Sequence, residues 1–342
     1  MTFVFEEYPV ALRNMRVWRY LEEVARVGSV RQAAERLHVT PSALLRRIQD
    51  VESDLGAALF ERTSSGVQLT AAGEIFIGWI KNQNADLRRV YSQIEALNGL
   101  RRGEIRIAVS QAVARGFLMK EMIEFRAKHP LVKLSITVCD HTTAMRHLLA
   151  YEADLILVFR PPHAAELQPV MSIGQGMVAV MAHDHPLAAK ARLRVRDCLM
   201  YDLALPEPSY SGRELIDQIL ARGSVQPNPV IESNSFDLLA DMVKGTEVIS
   251  FQVDIGASRW REDPELAVRP IDEADGAHGP LVLGQLKGRT LPLPAARFAE
   301  QLARRLDEMR SLPMDEAAAR ALHTAKATRS KATEAETEDE LD

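Results

Sequence analysis

The sequence predicts an α/β chain with an α-helical N-terminal part, and three observations carry that expectation. Short amphipathic helical patterns crowd the first 70 residues, one long heptad pattern follows, and from Glu104 to about Arg310 strand-like apolar runs alternate with helical ones. At 342 residues the chain suits two or three domains.

In the first helical pattern Trp18, Leu21 and Ala25 stand at i, i+3 and i+7, with Tyr20 and Val24 beside them and Gly28 closing the segment. Ser29 is placed to cap a second helix, in which Val30, Ala33, Ala34 and Leu37 repeat the core spacing. Thr40 is placed to cap a third, with Pro41 at its first position, where a missing N–H costs nothing. Leu44, Ile48, Val51 and Leu55 form the buried stripe of that helix. At about 100° per residue, Arg46 projects roughly opposite the stripe. Ser42, Gln49 and Ser53 share its face, with the small Ala43 at the edge.

Two capped helices set this close have helix-turn-helix geometry, in which the second helix offers its N-terminal half to base edges in the DNA major groove. Arginine suits that position because its planar fork meets guanine or phosphate. The following ALFERTSSGVQLT supplies two short β-like pieces around Ser64-Ser65-Gly66, a hairpin wing with Arg62 near its base.

Thr70 is the predicted cap of a long helix running to about Leu97. Ile80, Leu87 and Ile94 are seven apart, and Phe76, Val90 and Leu97 form the companion series with Gln83 as its polar member. The two series predict a heptad seam between two chains; the alternative is a helix lying on its own domain. Asn98-Gly99 and Arg102-Gly103 are expected hinges into the next domain.

Beyond these hinges EIRIAVS, VKLSITVC, ADLILVF, MVAVMA, PVIES and EVISF read as strands. Helical patterns cover 117–128, 142–149, about 212–221, 236–244 and 295–310, and LAVRPI reads as a strand returning to the first half. In open α/β folds ligands lie beyond the C-terminal ends of strands, where helix N-termini offer free N–H groups. That rule selects Ser110 and Gln111, then His141 and Thr142, then Arg160, and finally Asn234 and Ser235 before a later helix. Each taken singly reads first as a cap or loop donor, so it is their convergence that marks a site. An Arg160 facing the cleft would suit a carboxylate, which it could hold with two parallel hydrogen bonds.

Composition narrows the function classes. No run of about 18 apolar residues predicts a membrane span, and the acids in MTFVFEEYPV argue against a secretory leader. Cys139 and Cys198 lie far apart, which suits a reducing cytoplasm and supports neither a disulfide nor a zinc site. Of the net charge of −5, the segment 314–342 contributes −4, from eight acidic and four basic residues. Its lack of large apolar residues predicts disorder. GQGMVA at 174–179 imitates a dinucleotide fingerprint, but the following residues read as a strand and not the required helix. His183 and His185 read as a polar turn, Cys139 as packing within a strand, and Met200 and Met242 as core residues. No GxSxG, HExxH or P-loop occurs, and no catalytic acid–base pair can be assembled.

The run RYLEEVARVGSVRQAAERLHVTPSALLRRIQDVESDLGAALFERT, with LTAAGE at 69–74, resembles the N-terminal domain of LysR-type transcriptional regulators. The resemblance implies DNA contacts from Thr40, Pro41, Ser42, Ala43, Arg46 and the wing residue Arg62. Leu45 stands where the family usually has serine, which leaves Arg46 and Arg47 carrying more of the affinity. FRAKHP, the DLILVF run before Pro161-Pro162, HDHPLA and ESNSFDLLADMVKG resemble the family's effector domain, two lobes like those of periplasmic binding proteins. In KGTEVISF, Glu247 replaces a glycine common in the family.

The organisation this resemblance implies is a winged helix-turn-helix over 1–69, a dimerising linker helix and hinge over 70–103, and an effector domain over 104–312. Lobe 1 would take about 104–161 and 267–312, lobe 2 about 162–266, and a disordered acidic tail 313–342. The implied protein is a cytoplasmic, non-enzymatic regulator without metal or cofactor. It would bind dyad-symmetric operator DNA as a homodimer or homotetramer and answer to a small-molecule effector, a carboxylate being one candidate. A small-molecule-binding module or enzyme with no DNA role is the alternative.

Overall fold

The computed structural model describes residues 15–64, 66–97, 103–221 and 229–310, and the chain divides into two compact units between Arg88 and Arg89. The expected disordered tail, the hinge residues Asn98, Gly99 and Arg102, and the side chain of Leu97 lie outside the described residues.

The first unit opens with α1 (Met15–Val27), α2 (Val30–Leu37) and α3 (Pro41–Leu55). Their caps are those the residue types favour. Ser29 Oγ accepts from Gln32 N and Thr40 Oγ1 from Ala43 N, each satisfying a helix-end N–H that has no partner within the helix. Leu21, Val24, Ala33, Ala34, Leu44, Ile48 and Val51 close one apolar core. Two strands, β1 (Phe60–Thr63) and β2 (Gly66–Leu69), form an antiparallel hairpin. Val67 N donates to Gly28 O at 2.8 Å, strapping the hairpin to the α1–α2 turn. Gly66 is required there: its φ is +135°, and a Cβ would lie 2.4 Å from that same carbonyl.

The helix α4 (Ala71–Leu97) starts at Thr70, whose Oγ1 accepts from Gly73 N. Here the predicted seam needs correction. Ile80 is fully buried within the first unit's core, and Phe76 packs against the same core. Leu87 is half-buried, whereas Val90 and Ile94 are exposed, as are Ile75, Trp79 and Tyr91. A heptad pattern cannot distinguish an apolar position covered by its own domain from one that awaits a partner, and here α4's first turns are covered locally. The segment 71–88 accordingly belongs to the first unit, not to a separate linker.

The second unit begins with β3 (Gly103–Val109), then α5 (Gln111–Val113), a π-helical turn (Ala114–Leu118), α6 (Met119–Lys128), β4 (Val132–Val138), α7 (His141–Leu149) and β5 (Leu155–Phe159). After β6 (Leu167–Ala182) come α8 (Val195–Cys198), β7 (Leu203–Pro206), α9 (Ser211–Leu220), β8 (Pro229–Ser233), α10 (Phe236–Met242) and β9 (Ile249–Val253). Then β10 (Leu266–Pro270), β11 (His278–Leu286) and α11 (Leu293–Arg310) complete it.

The strand order is β4-β3-β5-β11-β6-β9-β7-β8, with β10 also on β6. The two lobes share β6: residues 167–176 pair with β11 in lobe 1, and 177–182 lie between β9 and β10 in lobe 2. Three expectations change. The crossover falls inside β6 near Gly176, not at the Pro-Pro; LAVRPI is a lobe 2 strand; and the strand returning to lobe 1 is β11, which the pattern did not reveal. GQGMVA lies wholly within β6, so its glycines open no helix. Met200 and Met242 are exposed, correcting their expected core placement.

Candidate functional site

On the first unit, the outward face of α3 gathers the predicted reading residues. Thr40, Pro41, Ser42, Ala43, Arg46 and Arg47 are all exposed, and Arg62 is exposed on the wing. Their electrostatic states differ. Arg31 pairs with Glu35, Arg26 and Arg36 both reach Glu23, and Arg47 makes a 3.5 Å contact with Asp50. No ion pair holds Arg46 or Arg62 among the described residues, so their charge and donors remain for a ligand. Glu52 was not singled out from sequence. Its Oε1 accepts from Leu59 N at 2.7 Å and Phe60 N at 3.2 Å, fixing the wing's base to α3. A lone glutamate at that spacing carries no local signal, since its partners are backbone groups seven and eight residues away.

In the second unit, a small cavity with an open mouth lies between the lobes. Phe159, Met177, Tyr210, Phe236 and Phe251 give it a mostly apolar wall, and Ser110 and Gln252 supply polar groups. The lining residues Ser211, Arg213 and Phe251 were not foreseen, because they come from strand ends and a helix start that the sequence does not show to be adjacent.

Helix α9 runs along the C-terminal ends of the lobe 1 strands. Ser211 Oγ donates to Phe159 O at 2.7 Å, Glu214 Oε2 lies 3.6 Å from His141 Nε2, and Arg160 Nη2 donates to Gln218 Oε1 at 3.0 Å. The spacing 211, 214, 218 places all three on one helix stripe. Gln111 Oε1 accepts from Phe236 N at 2.7 Å, so the first N–H of α10 is capped from the other lobe. Ser235 Oγ accepts from Leu238 N, making it that helix's own N-cap.

The predicted ligand residues therefore separate. Ser110 lines the cavity. Gln111, His141 and Arg160 bridge the lobes beside it, and Ser235 caps a helix. Thr142 and Asn234 are exposed and lie outside this cavity's lining; the Asn234 carbonyl accepts from Tyr210 Oη. Arg160 does not line the cavity either, so the expected two-bond grip on a carboxylate is not preformed there.

Among the described residues, the buried side-chain polar atoms without a hydrogen-bond partner are Trp18 Nε1, Ser110 Oγ, His141 Nδ1 and Arg160 Nη1. The last three follow β3, β4 and β5, which are adjacent in the sheet. Unpaired buried polar atoms are costly, so such a row marks where an outside partner gains most. Two nearby cations are already matched: the cavity-lining Arg213 is paired with Asp217 and Glu232 and donates to Pro206 O, and Arg115 pairs with Asp237 of the other lobe.

The remaining candidates resolve structurally. His185 is buried, its Nδ1 accepts from Leu187 N, and its Nε2 lies 3.3 Å from Glu247 O. Glu247 itself is exposed, so its side chain needs no room where the family has glycine. No cluster of three or more metal-ligating side chains occurs among the described residues. No helix among them is long and apolar enough to cross a membrane.

Comparison with known proteins reproduces the same division. A family described as bacterial regulatory helix-turn-helix protein, lysR family, matches residues 15–74. The LysR substrate binding domain matches residues 98–307. The chain is 28% identical over 212 residues to the RuBisCO operon transcriptional regulator of Allochromatium vinosum, covering 62% of this chain and 69% of that protein. It is 32% identical over 179 residues to the HTH-type transcriptional regulator CbbR of Sinorhizobium medicae (strain WSM419), covering 52% and 56%. Among solved structures, full-length OxyR from Pseudomonas aeruginosa superposes with TM-score 0.64 at 20% identity, covering 86% of this chain and 94% of that one. Full-length CbnR in complex with its target DNA gives 0.59 at 21%, covering 86% and 99%. At these identities the two structures speak for the fold alone.

Proposed function

The chain belongs to the LysR family of DNA-binding transcriptional regulators, and from that premise we propose that it reads operator DNA with α3 and the wing and answers to a small molecule held between its lobes. The family is one of regulators, not enzymes. Thr40, Pro41, Ser42, Ala43, Arg46 and Arg47 would meet the major groove, with Arg62 on the adjoining backbone or minor groove. Unpaired Arg46 and Arg62, beside arginines already matched by glutamate, support this assignment. The exposed apolar residues Val90 and Ile94 of α4, with half-buried Leu87, support pairing of two chains on two half-sites, and two such pairs would make a homotetramer on two sites. A cytoplasmic location follows from action on DNA.

The observation that carries the effector reading is the row of unpartnered buried atoms beside an apolar cavity. It favours a molecule with an apolar body and an acceptor-bearing head, a carboxylate or carbonyl, directed at Ser110 Oγ. His141 and Arg160, at the ends of the two neighbouring strands, each keep one buried nitrogen without a partner. Such a molecule shifts regulation only as far as it binds two arrangements of the protein with different affinity.

The test is selection of genomic DNA fragments by the purified full-length chain at near-physiological salt, with Arg46→Ala alongside. Enrichment of a dyad-symmetric site by the unaltered protein alone is the expected result. Absence of enrichment, with or without added metabolites, would overturn the operator-reading assignment in favour of a ligand-binding module without a DNA role.

A further inference from the structure

We propose that Leu45 is a specificity-determining residue that reads the C5-methyl group of a thymine in the operator half-site. Of the large apolar side chains of α3, Leu44, Ile48 and Val51 are buried in the first unit's core, whereas Leu55, expected in the same stripe, is exposed at the helix's C-terminal end, where the stripe runs out of core. Leu45 is only half-buried and is neither part of that core nor packed against it. Leu45 is thus the large apolar side chain left partly wet in the N-terminal half of α3.

Its position explains what would cover it. At about 100° per residue Leu45 lies midway between the buried stripe at Leu44 and the outward Arg46. Ser42 and Gln49 stand at i−3 and i+4 from it, and both are exposed on the outward face. Leu45 is therefore the apolar shoulder of a surface otherwise made of hydroxyl, amide and guanidinium groups. The small Ser42 beside it lets that shoulder approach closely. A leucine has no donor for phosphate oxygens, which excludes the sequence-independent part of DNA binding. Among the groups exposed on base edges in the major groove, the thymine methyl is the apolar one.

The inference rests on the operator-reading assignment and adds to it a preference at one base pair. It also predicts that cytosine, which lacks the methyl, is disfavoured there, and that 5-methylcytosine restores binding. Burying one methyl-sized group corresponds to about fourfold in affinity.

The experiment uses the full-length protein and its enriched operator duplex, with each thymine replaced in turn by deoxyuridine, which removes the methyl and nothing else. At one thymine per half-site the replacement is expected to weaken the unaltered protein about fourfold, and to leave Leu45→Ala and Leu45→Ser unaffected. Thermal unfolding of both variants is measured alongside, to confirm that their first unit remains folded. Deoxyuridine without effect at every position, or with equal effect on all three proteins, overturns the proposal. A chain that enriches no operator defeats the DNA assignment itself, and the Leu45 proposal with it; an enriched operator without methyl sensitivity defeats only the latter.

Discussion

Ser211 Oγ donates a 2.7 Å hydrogen bond to the carbonyl oxygen of Phe159, joining the first turn of α9 in one lobe to the end of β5 in the other. Both residues are buried, so neither group has water as a ready substitute. Replacing Ser211 by alanine should cost about 1–3 kcal/mol, because the Phe159 carbonyl loses its cross-lobe donor. The check is urea unfolding of the full chain: the midpoint should fall while its slope stays unchanged. An unchanged midpoint would mean that the bond contributes nothing net to joining the lobes.

Arg46 is the reading-face arginine free of ion pairing on α3, in contrast to Arg47 beside Asp50. If it meets a guanine with two hydrogen bonds, Arg46→Ala should remove about 1–3 kcal/mol of specific binding. The same change at Arg47, already partly screened by Asp50, should act more evenly on operator and random DNA. The measurement is the ratio of the two affinities at fixed salt. A ratio unchanged by Arg46→Ala would remove base reading from this residue.

The first unit was legible because its signals are local: Ser29, Thr40 and Pro41 mark helix starts within a few residues of the stripes they introduce. The second unit was legible only as an alternation of elements. β11 escaped because Gly279, Pro280 and Gly284 look like turn residues, yet it pairs with β5 on one side and β6 on the other. Pro280 is tolerated because its carbonyl accepts from Arg160 N, just beyond the last β5 pair. Its missing N–H faces the same side and interrupts no bond to β6. The cavity was hidden for a related reason. Ser110 follows from the strand-end rule, whereas Tyr210, Ser211 and Phe251 join it only through the path of β6 between lobes.

Two residues of α4 that share one heptad position should behave oppositely. Ile80→Ala opens a cavity in the first unit's core and should cost about 2–5 kcal/mol of its stability. Ile94 is 53% exposed, so Ile94→Ala should leave stability within about 0.5 kcal/mol and weaken self-association instead. Sedimentation velocity across a concentration series, with thermal unfolding of the same samples, separates the two effects. If Ile94→Ala leaves association intact, the exposed end of α4 is not the pairing surface.

The two thiols of this chain sit in surroundings that hold them in the unreactive protonated form. Cys198 is fully buried and its thiol is pushed up to about 12, chiefly by burial. Cys139 is half-buried and rises to about 11 through burial and then the charge of Asp140, partly offset by Arg146. Because the thiolate is the reactive form, only about one Cys139 in a thousand is reactive at pH 8, and reactivity should rise about tenfold per pH unit until the group titrates. An aromatic disulfide reagent should therefore label the native protein slowly at pH 8 and promptly once urea unfolds it. Hydrogen peroxide should leave operator affinity unchanged, in the unaltered protein and in Cys139→Ser alike. A peroxide response lost in Cys139→Ser would show that this thiol is exposed in a second arrangement of the lobes.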